Sequence, residues 1–320
     1  MEKNYDLICI GMALVDSIIK GFDPMPVSAS GYRAVSGSIR VGGEAVNEAI
    51  AASKLGMKTA ILCSLGLDEA GNMIADALEK YDVDTSLMYR TGEHATPVTT
   101  MFVREDGTRK SITNQSHTYN FHPEREEERF SQARAVILGS LFRAPFDDPE
   151  IIHTVVKRAK DAGELIFADT KLPNFHVLKL TDLSDSLPMI DYITPNEDEA
   201  RYYSGMDLPE DMADVFLKMG IRNVIIKLGS KGCFLKNAEH AHYLPAYQIR
   251  ALDATGAGDN FIAGFASEIL RGKSQADALA FANACGAICT TGIGAASALK
   301  NRDQVLSFME NTSSVGSCSQ

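Results

Sequence analysis

The chain has 320 residues, 45% hydrophobic and 23% charged, enough for a core of ordinary globular size. Its formal charge of −11 leaves no basic stripe for a nucleic-acid backbone, although backbone N–H groups and one or two cations can still hold a nucleotide. No apolar run approaches the roughly 20 residues that span a bilayer, residues 1–6 lack a secretory leader pattern, and the six cysteines are scattered, so a cytoplasmic protein with no membrane partner is expected.

Strand-like apolar runs at 6–10, 59–64, 135–138, 165–168, 192–194 and 223–227 alternate with segments of helical period at 45–55, 70–80, 150–162, 197–203 and 209–219. Several runs are apolar throughout, as strands covered on both faces must be, which predicts an α/β domain around a mostly parallel sheet. Two stretches interrupt this rhythm. Residues 20–41 are rich in Gly, Pro and Ser, and 96–114 place β-branched residues on either side of Glu105-Asp106-Gly107, a strong hairpin signal. They read either as a small second sheet covering a cleft or as extra edge strands. The main domain is expected over 1–310, with lid strands inserted at about 12–41 and 96–120. His240 and His242 alternate in a further exposed hairpin, and 124–128 reads as a solvated helix face. From 258 onward the pattern turns helical, at 259–271 and 274–290, and the Ser-rich end at 311–320 is expected to be disordered.

Asp253-Ala254-Thr255-Gly256-Ala257-Gly258-Asp259 carries the chemistry. It follows an alternating run at 247–252, read as a strand, and precedes an amphipathic helix. Small residues at 256–258 allow a tight turn with consecutive N–H groups facing a ligand, and the helix start behind them adds positive potential. That is an anion pocket. A carboxylate at its edge, Asp259, suits a base that takes the proton of a hydroxyl attacking a phosphorus. The competing reading is a helix cap, which two Asp around Thr-Gly-Ala-Gly exceed.

This heptapeptide resembles the second signature of the ribokinase-like (PfkB) carbohydrate kinases, D-T-x-G-A-G-D. Further resemblances follow in order: Gly42-Gly43-Glu44-Ala45-Val46-Asn47 is similar to the first signature, Asn196-Glu197-Asp198-Glu199 to the N-x-x-E motif, Lys227 to Gly232 to the strand and turn over the nucleotide, and Phe281-Ala282-Asn283 to the helix beside adenine. Together they span about 6–300. The resemblance implies a ribokinase-like three-layer α/β/α fold with a small β-sheet lid, and phosphoryl transfer from ATP to a primary hydroxyl of a small sugar. It makes Asp259 the general base, and Gly256, Ala257 and Gly258 the hole for the transferred group. It sets Asp16, Gly42, Gly43 and Asn47 around the acceptor, and Asn196, Lys227, Gly229, Ser230, Gly232, Gly256 and Asn283 on ATP. Glu199 would hold Mg²⁺ through water, and Asp253, Thr255, Gly292 and Gly294 match positions around a K⁺ ion.

Some of these residues keep a second reading. Glu199 could be a solvent-facing residue of a first helical turn, Asp16 a cap or turn residue, and Lys227 the end of a strand pointing into water. Gly139-Ser140 and Asp169-Thr170-Lys171 are similar to fructokinase-type enzymes, whereas Glu44 and Glu48 depart from the small residues usual there, so a nucleoside kinase remains the alternative acceptor class. A non-catalytic nucleotide-binding regulator would need the anion hole but not the base. A dinucleotide oxidoreductase is excluded, because Gly11-Met12-Ala13 lacks the G-x-G-x-x-G turn. The resemblance also implies a homodimer through the lid.

Overall fold

A computed structural model describes residues 3–21, 34–104, 108–114, 121–125, 132–174 and 176–312. In chain order it forms β1 (Tyr5–Ile10), β2 (Leu14–Lys20), β3 (Ser36–Gly42), α1 (Glu44–Lys54), β4 (Thr59–Leu62), β5 (Ser64–Gly66), α2 (Glu69–Lys80) and β6 (Tyr89–Thr91). Then come β7 (Val98–Val103), β8 (Arg109–Thr113), β9 (Ala133–Leu141), α3 (Pro149–Asp161), β10 (Leu165–Thr170), β11 (Tyr192–Thr194), α4 (Glu197–Ser204) and α5 (Pro209–Lys218). The last part adds β12 (Asn223–Lys227), β13 (Cys233–Asn237), β14 (Ala241–Leu244), α6 (Ala257–Leu270), α7 (Gln275–Thr290) and α8 (Arg302–Asn311).

Eight strands form the main sheet in the order β14-β13-β12-β11-β10-β9-β1-β4. Pairing is parallel from β12 to β4, and only the β13 and β14 edge runs antiparallel. That edge is the hairpin expected around His240 and His242. Alternate residues of one strand feed two cores. Leu7 and Cys9 of β1 pack with α1, α6 and α7, while Ile8 and Ile10 pack with α3, α4 and α5. This two-sided burial is why the strands read as unbroken apolar runs. Five cysteines are buried free thiols within these cores, and Cys318 lies outside the described residues. Among the described residues no helix is long and apolar enough to cross a membrane.

The interrupting stretches form a separate four-stranded sheet, β3-β2-β7-β8, rather than edges of the main one. Parallel pairing of β2 with β7 fuses two hairpins that are far apart in sequence. Residues 22–33, the Asp-Gly turn at 105–107 and residues 115–120 lie outside the described residues, as do 126–128 of the charge run.

Three expectations need correction. The run 59–64 is split into β4 and β5, which belong to different sheets. Residues 247–252 belong to neither sheet; the alternation there mimics a strand, but Leu252 is exposed and its N–H donates to the Thr290 carbonyl at the end of α7. Asn311 closes α8 instead of opening a disordered tail, and 313–320 lie outside the described residues.

Candidate active site

Gly256 is the N-cap of α6 at φ 79°, and a Cβ there would lie 2.1 Å from the Ala295 Cβ, so both backbone and space require glycine. Ala257 and Gly258 open the helix, and the Ala257 N–H donates to the Ala254 carbonyl at 3.2 Å. Asp259 therefore stands in the first turn but is not the cap. It is only 6% exposed, and Asn47, reaching across from α1, donates Nδ2 to its Oδ2 at 2.7 Å. Burial pushes the Asp259 carboxyl up to about 7; Lys171 opposes that rise, Glu44 and Asp169 reinforce it, and the Asn47 bond favours the ionised form.

The other residues expected around the acceptor lie on β2, at the end of β3 and at the start of α1. Asp16 lies inside β2, neither cap nor turn, opposite Arg40 of β3. A Cβ on Gly42 would come within 2.4 Å of Asp16 Oδ2, so the missing side chain makes room for that carboxyl. Burial, and then Glu44, lift Asp16 to about 6. Gly43 caps α1 at φ 97°, where a Cβ would strike the Met12 carbonyl at 2.5 Å.

Two lysines face this group from the main sheet. Lys227, at the end of β12, does not point into water: its amino group binds Asp169 and lies against Gly258, where a Cβ would be 3.0 Å away. Lys171, just past β10, pairs with Glu44 at 3.2 Å. Burial works against the Lys171 charge, but Glu44, Asp259, Asp169 and Glu199 outweigh it and raise its pKa. Glu199 does not face solvent either. It is 4% exposed, accepts from Thr170 Oγ1 at 2.8 Å and from the Asn196 N–H at 2.9 Å, and Asn196 in turn caps α4. Burial raises its pKa, against Lys227 and with the help of Asp169.

The remaining residues expected on ATP and on a monovalent ion lie in turns and on α7. Gly229 and Ser230 make one turn after Leu228, and Gly232, at φ 108°, has no space for a Cβ beside the Leu244 carbonyl. Asn283 of α7 donates to the Pro245 carbonyl at 2.9 Å, anchoring the segment that leads to the anion turn. Asp253 accepts from the Thr255 N–H and hydroxyl through one oxygen and from the Gly294 N–H through the other, at 3.0, 2.7 and 2.9 Å. Gly292 follows the end of α7, where a Cβ would collide with Ser297 Oγ.

Sequence reading assigned no role to Asp169, Lys171 or Glu48. Asp169 and Lys171 carried a signal, charged residues at the carboxyl end of a parallel strand, where open α/β sheets bind ligands. Glu48 carried only its oddity, an acid on the buried face of a helix.

This architecture is shared with known proteins. The profile described as pfkB family carbohydrate kinase matches residues 6–302. The ribokinase of Haemophilus influenzae is 28% identical over 282 residues, covering 85% of this chain and 88% of that relative. Fructokinase-1 of Oryza sativa subsp. japonica is 29% identical over 288 residues, covering 84% and 88%. The Arabidopsis thaliana ribokinase, solved in complex with ribose and ATP, superposes with a TM-score of 0.84 at 27% identity, covering 97% of this chain and 99% of that one. The Methanocaldococcus jannaschii nucleoside kinase, at 21% identity and a TM-score of 0.77, shares the fold. With that fold, and with its motifs matched in order, the chain belongs to the pfkB family of carbohydrate kinases.

Proposed function

We propose that this kinase transfers the γ-phosphoryl group of ATP to a primary hydroxyl of a small sugar, with Asp259 as general base. The observation that carries the reading is the buried Asp259 carboxylate, set in the first turn of α6 behind Gly256 and held by Asn47. Phosphoryl transfer is mostly positioning and charge stabilisation, which a buried carboxylate beside a helix start and two lysines can supply. Gly256, Ala257 and Gly258 would hold the migrating group, and Asp259 would take the hydroxyl proton. Lys227, against Gly258, is placed to meet phosphate charge, with Gly229, Ser230, Gly232 and Asn283 bordering the nucleotide.

The oxygens of Glu199, Asn196 and Thr170 fit Mg²⁺, which prefers such ligands and retains water. Bound there, the ion supplies charge neutralisation on the phosphates. The turn held by Asp253, Thr255 and Gly294, with Gly292 beside it, fits a monovalent cation held by backbone oxygens. The four-stranded sheet is the lid that excludes water as a rival acceptor. Its outward Ile39 and Ile112, 64% and 67% exposed, share one cross-strand row through Ser17 and Thr100, which supports a homodimer through this face.

The test is ADP formation with ribose, fructose, 2-keto-3-deoxygluconate and nucleosides, compared with Asp259→Asn. Acceptor-dependent turnover that falls at least about a hundredfold in the variant, with ATP still bound, is expected. A near-wild-type rate in the variant removes Asp259 as base. Turnover with nucleosides alone moves the enzyme to the other acceptor class.

A further inference from the structure

The ion pairs at the base of the pocket leave two carboxylates over. Glu44 is paired with Lys171 and Asp169 with Lys227, while Glu48 and Asp259 stand outside both pairs. Glu48 follows Asn47 on α1, is 0% exposed, and neither of its carboxylate oxygens has a hydrogen-bond partner. A Cβ on Gly139 of β9 would sit 3.0 Å from Glu48 Oε2, so a bare backbone at that position leaves the acid its room. Glu48 from α1, Asp169 from β10 and Asp259 from α6 each bring one oxygen to a cluster in which all lie within 4.8 Å of one another. Asn47 uses only Oδ2 of Asp259, and Lys227 and Thr194 use Oδ1 of Asp169, so each keeps a second oxygen for a ligand.

A buried carboxylate without a donor is costly unless something neutralises it. A proton would let Glu48 donate to one neighbour and would leave the others as they are. One divalent ion would serve all three carboxylates, and its charge equals that of the two left outside the ion pairs. Hard cations sit about 2.0–2.6 Å from carboxylate oxygens, so two ligands of one ion lie up to about 4–5 Å apart, the span seen here.

We propose that Glu48, Asp169 and Asp259 form a divalent-cation site separate from the Glu199 position, and that filling it withdraws Asp259 from base duty. The regulatory half of this proposal rests on Asp259 being the base; the binding half does not. Free Mg²⁺ or Mn²⁺ beyond what ATP binds would then compete with the acceptor, because both need the same carboxylate.

The experiment is titration of the nucleotide-free enzyme with Mn²⁺, following free Mn²⁺ by electron paramagnetic resonance, for wild type, Glu48→Gln and Glu199→Gln. Wild type is expected to take up one Mn²⁺ without nucleotide. Glu48→Gln should weaken that uptake at least about tenfold, since one of three charged ligands is gone, and Glu199→Gln should retain it. Absence of nucleotide-independent uptake by wild type overturns the proposal, as does equal uptake by a folded Glu48→Gln. Should Glu48→Gln fail to fold, anomalous diffraction from wild-type crystals soaked in Mn²⁺ decides: a peak among the three carboxylates supports the site, and peaks only elsewhere reject it. A protonated-carboxyl infrared band lost in Glu48→Gln, without Mn²⁺ uptake, shows that Glu48 holds a proton instead, and also rejects it. None of these readouts needs turnover, so an Asp259→Asn variant that stays active would sink the base assignment and leave the metal result standing.

Discussion

A carboxylate accepts a proton only when ionised, so with Asp259 as the proposed base, the environment that lifts it to about 7 would also set where activity begins. Activity should rise with pH through about 7 and fall tenfold per unit below it, read as kcat/KM for the acceptor at saturating ATP. A flat profile from pH 5.5 to 8 contradicts this. The same shift acts on stability with the opposite preference. The folded pKa lies above the ordinary value of about 4, so the folded chain holds the proton more tightly; stability from this group is full below about pH 4 and lost as pH rises toward 7. Asp259→Asn, which cannot charge, should therefore melt several degrees above wild type at pH 8 while nearly inactive. Gly256→Ala fails differently: at φ 79° with Ala295 in the way, it should cost about 1–3 kcal/mol of stability and distort the amides that grip phosphate. A thermal melt and single-turnover rates would show both losses together.

Elements decide whether these residues meet. Asp259 is held where it is because α6 packs closely on α7, with Gly264 facing Cys285 so tightly that a Cβ would lie 2.8 Å from its sulfur. Gly264→Ala should destabilise the fold by about 1–3 kcal/mol and lower kcat/KM by moving the base, although residue 264 touches no ligand. An unchanged melting temperature would show that the helices can yield there. This scale also explains what could be read in advance. The turn, the helix start and the carboxylate beside it were legible because they lie within seven consecutive residues, 253–259. Glu48, Asp169 and Lys171 were not, because their meaning arises only where α1, β9 and the end of β10 converge, and no local pattern encodes that meeting. Residues 247–252 misled for the inverse reason: alternation usually means a half-buried strand, yet here at most a single bridge forms, at Tyr247.

At the scale of the molecule, the parallel main sheet was legible from its alternating runs, and the second sheet from turn residues and β-branched stretches. The pairing of β2 with β7 was not, since it joins segments about 80 residues apart. The outer face of that sheet carries the prediction for assembly. Ile39→Asp combined with Ile112→Asp should halve the mass measured by light scattering, because two charges would stand where apolar area must be buried on association. An unchanged mass would place any self-association elsewhere.

Arg40, on the lid strand β3, reaches over to the Ile293 carbonyl at 3.2 Å, and the next residue, Gly294, is tethered to Asp253. The four-stranded sheet is thus tied by a hydrogen bond to the turn proposed to hold a monovalent ion. Two events that lean on one latch must answer to each other in equal measure: an ion that steadies the turn would tighten the grip on sugar, and sugar would repay the favour by the same factor. Cutting the latch with Arg40→Ala should leave both partners able to bind but deaf to one another, which paired titrations of sugar with and without K⁺ would reveal.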